Sequence, residues 1–258
     1  MMKLCFVVLV LAGVASGEIE KRVIGSKKCD GERKYHVQIE TVQGKKPCGG
    51  ALLNKRWFIT ASHCGNQKIN VKLDTSHRPW YKKAKSSIFS FFGRKDKYDQ
   101  EIPVKQQFIY KDEEGKEHDI MLVKLSKDAS SKSTPINLPP AECTKLEVNK
   151  QVEIGGWGAH KADLKKSSSL RCANTAITEC GENDKPGKVY HVDEAAVMCA
   201  FKPDVEVCFG DSGTAVEHDG VLHGIIVSEP VDTCVKRVVM LDICHYRKWI
   251  DETMAKHS

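Results

Sequence analysis

Short apolar runs recur along the chain from Lys34 onward, and clusters of Gly, Pro, Asn and Asp separate them. Several runs alternate apolar and polar positions, which is the period of a half-buried strand. The runs are Tyr35–Ile39, Ala51–Leu53, Trp57–Thr60, Ile69–Leu73, Ile120–Val123, Val152–Ile154, Gly224–Val227 and Val238–Leu241. Many short strands divided by turn residues are typical of a β-sandwich or β-barrel. The pattern therefore predicts an all-β protein.

The C-terminal segment departs from this β pattern. Trp249, Ile250 and Met254 are spaced so that they share one side of a helix. This spacing predicts a single helix over Tyr246–Lys256, after the last strand.

The N-terminus has the three parts of a secretory signal peptide. Lys3 precedes the apolar run Leu4–Val14, and small residues follow at positions 15–17. The run is shorter than the ~20 residues that a membrane-spanning helix needs. We therefore expect residues 1–17 to be removed, and we expect a secreted, extracellular protein without a transmembrane segment.

Composition and charge are those of a globular protein. Of the 258 residues, 41% are hydrophobic and 29% are charged, with a formal net charge of +6. The basic, aromatic-rich stretch Arg78–Lys97 leaves two interpretations open. It could bind a polyanion or a membrane surface, or it could be an exposed loop whose aromatic rings pack against the protein.

The predicted secretion determines how the cysteines are interpreted. The chain has 11 cysteines, of which Cys5 lies in the predicted signal peptide, so ten remain. An even number in an oxidising compartment indicates five disulfides, but spacing alone does not assign the pairs. No C-x-x-C pair occurs, so a structural zinc site is not expected.

Three segments carry candidate chemistry. His63 stands next to Cys64 at the end of an apolar strand, Asp119 opens another apolar strand, and Ser212 lies in the turn Gly210–Gly213. Each segment alone is a weak signal. Together, in the order His, Asp, Ser, they resemble the chymotrypsin–trypsin family of serine proteases over essentially the whole mature chain.

The resemblance implies a fold and a mechanism. It implies two packed six-stranded antiparallel β-barrels with a C-terminal helix, the first barrel carrying His63 and Asp119 and the second carrying Ser212. His63 is then the base that activates Ser212, and Asp119 orients its ring. The backbone N–H groups of Gly210 and Ser212 are the expected oxyanion hole.

The resemblance also gives the N-terminal segment a function. Residues 18–22 end in a dibasic pair, which on its own fits a processing site or an ordinary charged tail. The following Val23-Ile24-Gly25 is similar to the mature start of the family. Cleavage after Arg22 is therefore expected to release an activation peptide (residues 18–22) from a protease domain (residues 23–258). The freed amino group of Val23 is expected to pair with Asp211.

Disulfide pairing follows from the same resemblance. The five implied pairs are Cys29–Cys172, Cys48–Cys64, Cys143–Cys244, Cys180–Cys199 and Cys208–Cys234. No cysteine of the mature chain is left over.

The expected specificity pocket departs from the trypsin pattern. Glu206 stands where trypsins place Asp, and Pro230 and Val238 stand where trypsins have two glycines. Glu229 follows Ser228, where a tryptophan is usual. Bulk at both wall positions predicts a narrowed or closed slot, with a preference for small residues or for a basic residue reached unusually.

The sequence thus predicts a secreted serine endopeptidase made as a zymogen. The expected partners are a polypeptide substrate, a protease that activates the chain at Arg22, and protein protease inhibitors. We expect a monomer, with no cofactor, no metal ion and no nucleic acid. The alternative is a catalytically weak or inactive homologue that acts as a binding protein or toxin.

Overall fold

A computed structural model describes the protein at residues 26–29, 32–41, 47–73, 99–157, 170–184, 190–191, 193–207, 211–228, 235 and 237–258. The predicted signal and activation segments lie outside these residues, as does the basic stretch Arg78–Lys97. Within the described residues, no helix is long and apolar enough to cross a membrane.

Fourteen strands and one α-helix make up the described regular structure, apart from short 3-10 turns. In chain order they are β1 (Lys27–Lys28), β2 (His36–Thr41), β3 (Pro47–Leu52), β4 (Trp57–Thr60), β5 (Ile69–Leu73), β6 (Asp99–Ile102), β7 (Gln107–Lys111), β8 (Glu117–Lys124), β9 (Gln151–Gly156), β10 (Arg171–Thr178), β11 (Val197–Phe201), β12 (Ala215–His218), β13 (Val221–Ile226), β14 (Arg237–Asp242) and α1 (Ile243–Lys256).

The first sheet has the strand order β6-β5-β2-β3-β4-β8-β7, and all its pairings are antiparallel. Strand β4 is buried along its whole length, and β5 alternates buried and half-buried residues as the sequence pattern predicts. Pro103 separates β6 from β7, because proline has no N–H to donate to a strand ladder.

The second sheet has the order β1-β10-β11-β14-β13-β12-β9, and it closes on itself because β9 also pairs with β10. The predicted all-β fold, with two antiparallel barrels and a C-terminal helix, is confirmed. Each sheet contains seven described strands rather than the six expected: β1 is a two-residue edge strand of one, and β6 and β7, which flank the turn after Pro103, form the two edges of the other.

The C-terminal helix begins three residues earlier than the sequence pattern predicts, at Ile243. Asp242 caps it, since its side chain accepts a hydrogen bond from the Cys244 N–H at 3.1 Å. Ile243, Tyr246 and Ile250 are fully buried and join the larger of the two main apolar clusters, which holds side chains of both sheets. The helix therefore closes the core that the two sheets share.

Four disulfides are present among the described residues, and they coincide with four of the pairs that the family resemblance implies. They are Cys29–Cys172, Cys48–Cys64, Cys143–Cys244 and Cys180–Cys199. Both cysteines of the fifth pair, Cys208–Cys234, lie outside the described residues.

A buried arginine ties the two sheets together. Arg33 precedes β2, yet its guanidinium reaches strands of the second sheet: it lies 3.2 Å from Glu153 Oε1 and 3.7 Å from Glu217 Oε2, and it donates to the Ala215 carbonyl. Tyr35 adds a hydrogen bond from its hydroxyl to Glu217. Only 1% of the Arg33 side chain is exposed, so this ion-pair network lies inside the seam between the sheets.

Replacing Arg33 is expected to destabilise the protein far more than replacing an exposed arginine. Arg33→Met leaves two carboxylates at the seam without their cation, which we expect to cost about 3 kcal/mol of unfolding free energy. The matched control is Arg56→Met, whose pair with Asp128 is exposed (3.4 Å; 43% and 63% exposed side chains). The control is expected to change stability by less than about 1 kcal/mol. Urea unfolding of both variants measures the difference. Equal losses of unfolding free energy would show that the buried Arg33 network does not stabilise the seam.

Candidate active site

A histidine and an aspartate of the first sheet form a hydrogen-bonded pair. His63 lies in the 3-10 turn Ser62–Cys64 that follows β4, and Asp119 lies in β8, the neighbour of β4. His63 Nδ1 is 2.7 Å from Asp119 Oδ2, and the His63 backbone N–H donates to Asp119 Oδ1 at 2.9 Å. Since an ionised carboxylate only accepts hydrogen bonds, the pair places the ring proton on Nδ1. Nε2 is then the nitrogen that can act as a base.

The turn that carries His63 is fixed on both sides. The Ser62 hydroxyl donates to the carbonyl oxygen of His118 at 3.0 Å, which attaches the turn to β8 one residue before Asp119. The Cys48–Cys64 disulfide attaches its other end to β3. Asp119 is 1% exposed, so water competes little for its carboxylate.

Ser212 lies in a tight turn before β12 of the second sheet. The backbone N–H and the hydroxyl of Thr214 both donate to the Asp211 carbonyl, at 3.2 and 2.8 Å. Gly213 adopts a left-handed φ of +79°, which glycine reaches without strain, and its N–H donates to the Ile226 carbonyl at 2.7 Å. The glycine after the serine therefore makes this turn possible.

This turn docks onto the first sheet beside His63. The Gly49 N–H of β3 donates to the Ser212 carbonyl at 2.8 Å, and Cys64 Sγ lies 3.8 Å from the same oxygen. A Cβ on Gly213 would overlap Thr60 Oγ1 and the Gly49 carbonyl oxygen. The structure thus brings the Ser212 backbone against the residue next to His63, although the two come from different sheets.

The Ser212 hydroxyl has a specific partner in this conformation. It donates to the carbonyl oxygen of Ser228 at 2.8 Å, just beyond the end of β13, and the Ser212 residue is 6% exposed. In this conformation the hydroxyl proton is directed at Ser228, so it must be redirected before an imidazole can accept it.

Asp211 lies buried next to a strand of the second sheet. It is 1% exposed, and a Cβ on Gly156, the last residue of β9, would overlap its Oδ1. Glycine at 156 therefore leaves the space that the carboxyl group occupies. Arg22, Val23 and Gly210, to which the sequence assigns activation and oxyanion functions, lie outside the described residues.

Three of the five predicted pocket residues, Glu206, Ser228 and Val238, lie within the described part of the chain. Val238 in β14 is 1% exposed and packs within the smaller of the two main apolar clusters, which contains Val207 next to Glu206. Ser228 Oγ accepts a hydrogen bond from the Val239 N–H at 2.9 Å, which holds β14 against the segment after β13. Glu229 and Pro230 lie outside the described residues.

A second histidine near the seam is unsuited to base catalysis. His36 at the start of β2 is buried, and its Cε1 lies 3.1 Å from the position of a Cβ on Gly49. Burial first, and the positive charge of Arg33 second, lower the pKa of His36 to about 3. Its imidazole is therefore neutral and a poor proton acceptor at neutral pH.

The sequence interpretation passed over three small residues that set the site geometry. Gly49 supplies the amide that binds Ser212, Gly156 leaves space for Asp211, and Thr60 meets the turn at Gly213. The only sequence signal for Gly49 is its place directly after Cys48, which forms a disulfide with Cys64, the residue after His63.

Alanine at Gly213 is expected to disrupt the seam, and Gly220 provides a matched control. Both glycines have nearly the same φ, +79° and +78°, but a Cβ on Gly220 meets nothing within 4 Å. Gly220→Ala should therefore cost only the backbone strain, about 1 kcal/mol. Gly213→Ala adds overlap with the first sheet, for a total of about 3 kcal/mol. Urea unfolding measures both; similar losses would show that Gly213 is needed only for its φ.

Comparisons with known proteins identify the family of this chain. Residues 22–250 match the Trypsin family. Kallikrein-8 of Rattus norvegicus is 32% identical over 255 residues, which cover 92% of this chain and 90% of that protein. Trypsin-1 of Salmo salar is 27% identical over 269 residues, covering 100% of both. The solved structure of neuropsin, a serine protease expressed in the limbic system of mouse brain, has a TM-score of 0.64 and 30% identity, covering 89% of this chain and 98% of that one. The chain therefore belongs to the trypsin family of serine endopeptidases.

Proposed function

We propose that the protein is a secreted endopeptidase, made as a zymogen, that cleaves peptide bonds with His63, Asp119 and Ser212 as its catalytic triad. One observation carries the proposal: the His63–Asp119 pair of the first sheet stands at the seam where Gly49 and Cys64 contact the Ser212 backbone. A base oriented by a carboxylate beside a serine is the arrangement that activates a hydroxyl.

The proposed reaction proceeds in two halves. His63 Nε2 takes the hydroxyl proton as Ser212 Oγ attacks the peptide carbonyl carbon, and it returns that proton to the leaving amine. Water then hydrolyses the acyl-enzyme by the same route. The N–H groups of Gly210 and Ser212 are assigned to the developing oxyanion, where each donor is typically worth about 3–4 kcal/mol. Asp119 holds the ring and stabilises the imidazolium.

The zymogen proposal rests on the burial of Asp211. Cleavage after Arg22 gives Val23 a charged amino group, and pairing that group with a carboxylate buried to 99% would hold the turn before Ser212 in place. The proposed segments are a signal peptide (1–17), an activation peptide (18–22) and the protease (23–258). The contact from the Ser212 hydroxyl to Ser228 fits a resting state that must rearrange before catalysis.

A narrow specificity pocket is part of the proposal. Val238 is already surrounded by apolar side chains, so its bulk fills space rather than leaving a deep slot. We expect cleavage after small residues; cleavage after a basic residue, attracted by Glu206, is the other outcome that the sequence allows.

Covalent labelling tests the triad directly. The protein cleaved after Arg22 is expected to react with a fluorophosphonate at Ser212, and Ser212→Ala should abolish the label. Ser133→Ala, which alters another buried serine, is the matched control and should label normally. His63→Ala should slow labelling by roughly ten-thousandfold or more, because the hydroxyl loses its base.

A failure of fluorophosphonate labelling would contradict the enzyme proposal. If correctly folded, processed protein is not labelled at Ser212, the alternative of an inactive homologue acting as a binding protein or toxin replaces the enzyme proposal.

A peptide-library digest tests the pocket. Wild-type protein is expected to cleave after Ala or Val, and Val238→Gly should shift cleavage toward larger side chains because it empties volume in the wall. Circular dichroism verifies that the variant folds. Cleavage of the library after Lys or Arg by the wild type would show that the slot is open.

A further inference from the structure

Two imidazoles and one carboxylate converge beside the hairpin that joins β7 to β8. His118 Nε2 lies 3.6 Å from Asp112 Oδ2, and His191 Nε2 lies 3.8 Å from the same oxygen. All three candidate ligand atoms lie within 4.8 Å of one another. Ligand atoms around a tetrahedral zinc ion are about 3.4 Å apart, given metal–ligand bonds of about 2.0–2.1 Å. The three groups therefore need to move only slightly to bind one ion.

The His118 ring is held so that Nε2 faces the cluster. Its Nδ1 lies 2.8 Å from the Tyr246 hydroxyl of α1, and the residue is 2% exposed. Among the described residues, the buried Nε2 has no hydrogen-bond partner. A buried polar atom without a partner is costly, and metal-binding histidines typically use their other nitrogen to bond an orienting group such as this hydroxyl.

Asp112 presents one oxygen to the same point. Its Oδ1 accepts backbone hydrogen bonds from Glu114 and Lys116, at 2.9 and 2.8 Å. These bonds fix the carboxylate and leave Oδ2 as the oxygen that faces the two imidazoles. The side chain is 19% exposed, so it belongs to the floor of the cluster rather than to its open side.

His191 comes from a different part of the chain and closes the cluster from outside. It lies between β10 and β11 of the second sheet, and its backbone N–H donates to the Glu117 carbonyl of β8 at 2.8 Å. Its side chain is 39% exposed. An ion could therefore enter from this side, and a water molecule could complete its coordination.

We propose that Asp112, His118 and His191 form a Zn²⁺ site. Two imidazole nitrogens and one carboxylate oxygen with an open fourth position suit zinc, whereas Ca²⁺ and Mg²⁺ prefer all-oxygen ligands. Bound zinc would join the β7–β8 hairpin of the first sheet to the segment between β10 and β11. One of its ligands, His118, directly precedes Asp119 in β8. The proposal concerns binding and does not depend on peptidase activity.

Zinc titration of EDTA-treated, dialysed protein tests the site. Competition with a fluorescent chelator should show one Zn²⁺ bound per chain, and zinc should raise the melting temperature while Ca²⁺ and Mg²⁺ do not. Asp112→Asn and His191→Ala should each weaken zinc binding at least about tenfold. Asparagine keeps an oxygen for the two backbone N–H groups, and His191 is partly exposed, so both variants should fold.

The matched control is His218→Ala. His218 also stands beside a carboxylate, 3.4 Å from Asp219 Oδ2, but it lies outside the cluster. This variant should bind zinc as the wild type does. Melting temperatures in EDTA establish that every variant is folded. The proposal is wrong if the wild type binds no zinc, if the folded cluster variants bind it undiminished, or if His218→Ala loses as much as they do.

Discussion

The site depends on a backbone contact between two sheets, the hydrogen bond from the Gly49 N–H to the Ser212 carbonyl. His63 and Asp119 belong to one sheet and Ser212 to the other, so neither sheet alone can set the separation of base and hydroxyl. Misplacement by about 1 Å can cost a hundredfold in rate. Small residues allow this close approach: a side chain on Gly213 would overlap β3 and β4, and one on Gly49 would overlap Thr214. Tight docking of the turn is therefore a condition for the proposed chemistry.

Polar groups buried along the same seam reinforce this contact. Arg33 reaches from the segment before β2 to two glutamates of the second sheet, and the Tyr35 hydroxyl donates to one of them, Glu217. Such groups are costly to bury and more costly to leave without a partner, so relative sliding of the sheets would break several interactions together. The cluster of Asp112, His118 and His191 also joins the two sheets. His118 and Asp119 are consecutive residues of β8, whose side chains point to opposite faces of the strand, so the cluster lies on the other face of β8 from the His63–Asp119 pair. Stability and site geometry thus depend on the same boundary.

The sequence predicted the parts of this arrangement that depend on local pattern. Trp57–Thr60, a continuous apolar run, and Ile69–Leu73, which alternates apolar and polar positions, are strands with the predicted bounds, because a short run buried on both faces and an alternating run are the two strand patterns. The sequence pattern did not predict β10, because this strand mixes Arg, Asn and Thr with small residues. Its pairing with β9 and β11 stabilises it, and that pairing is visible only in the structure. The family resemblance suggested His63, Asp119 and Ser212, but the packing of Gly49 and Gly156 appears only in three dimensions. His118 and His191 are far apart in sequence, so no spacing rule could indicate their meeting.

The central claim is that groups from two sheets act as one catalytic unit. A double-mutant cycle measures this most directly, using hydrolysis of a small activated ester by the processed wild type, His63→Ala, Ser212→Ala and the double variant. If the imidazole works only by activating the hydroxyl, the double variant should be no slower than the slower single variant, because removing either group already removes their joint effect. Losses in kcat/KM that multiply, so that the double variant is slower than both by the product of the single effects, would contradict the account.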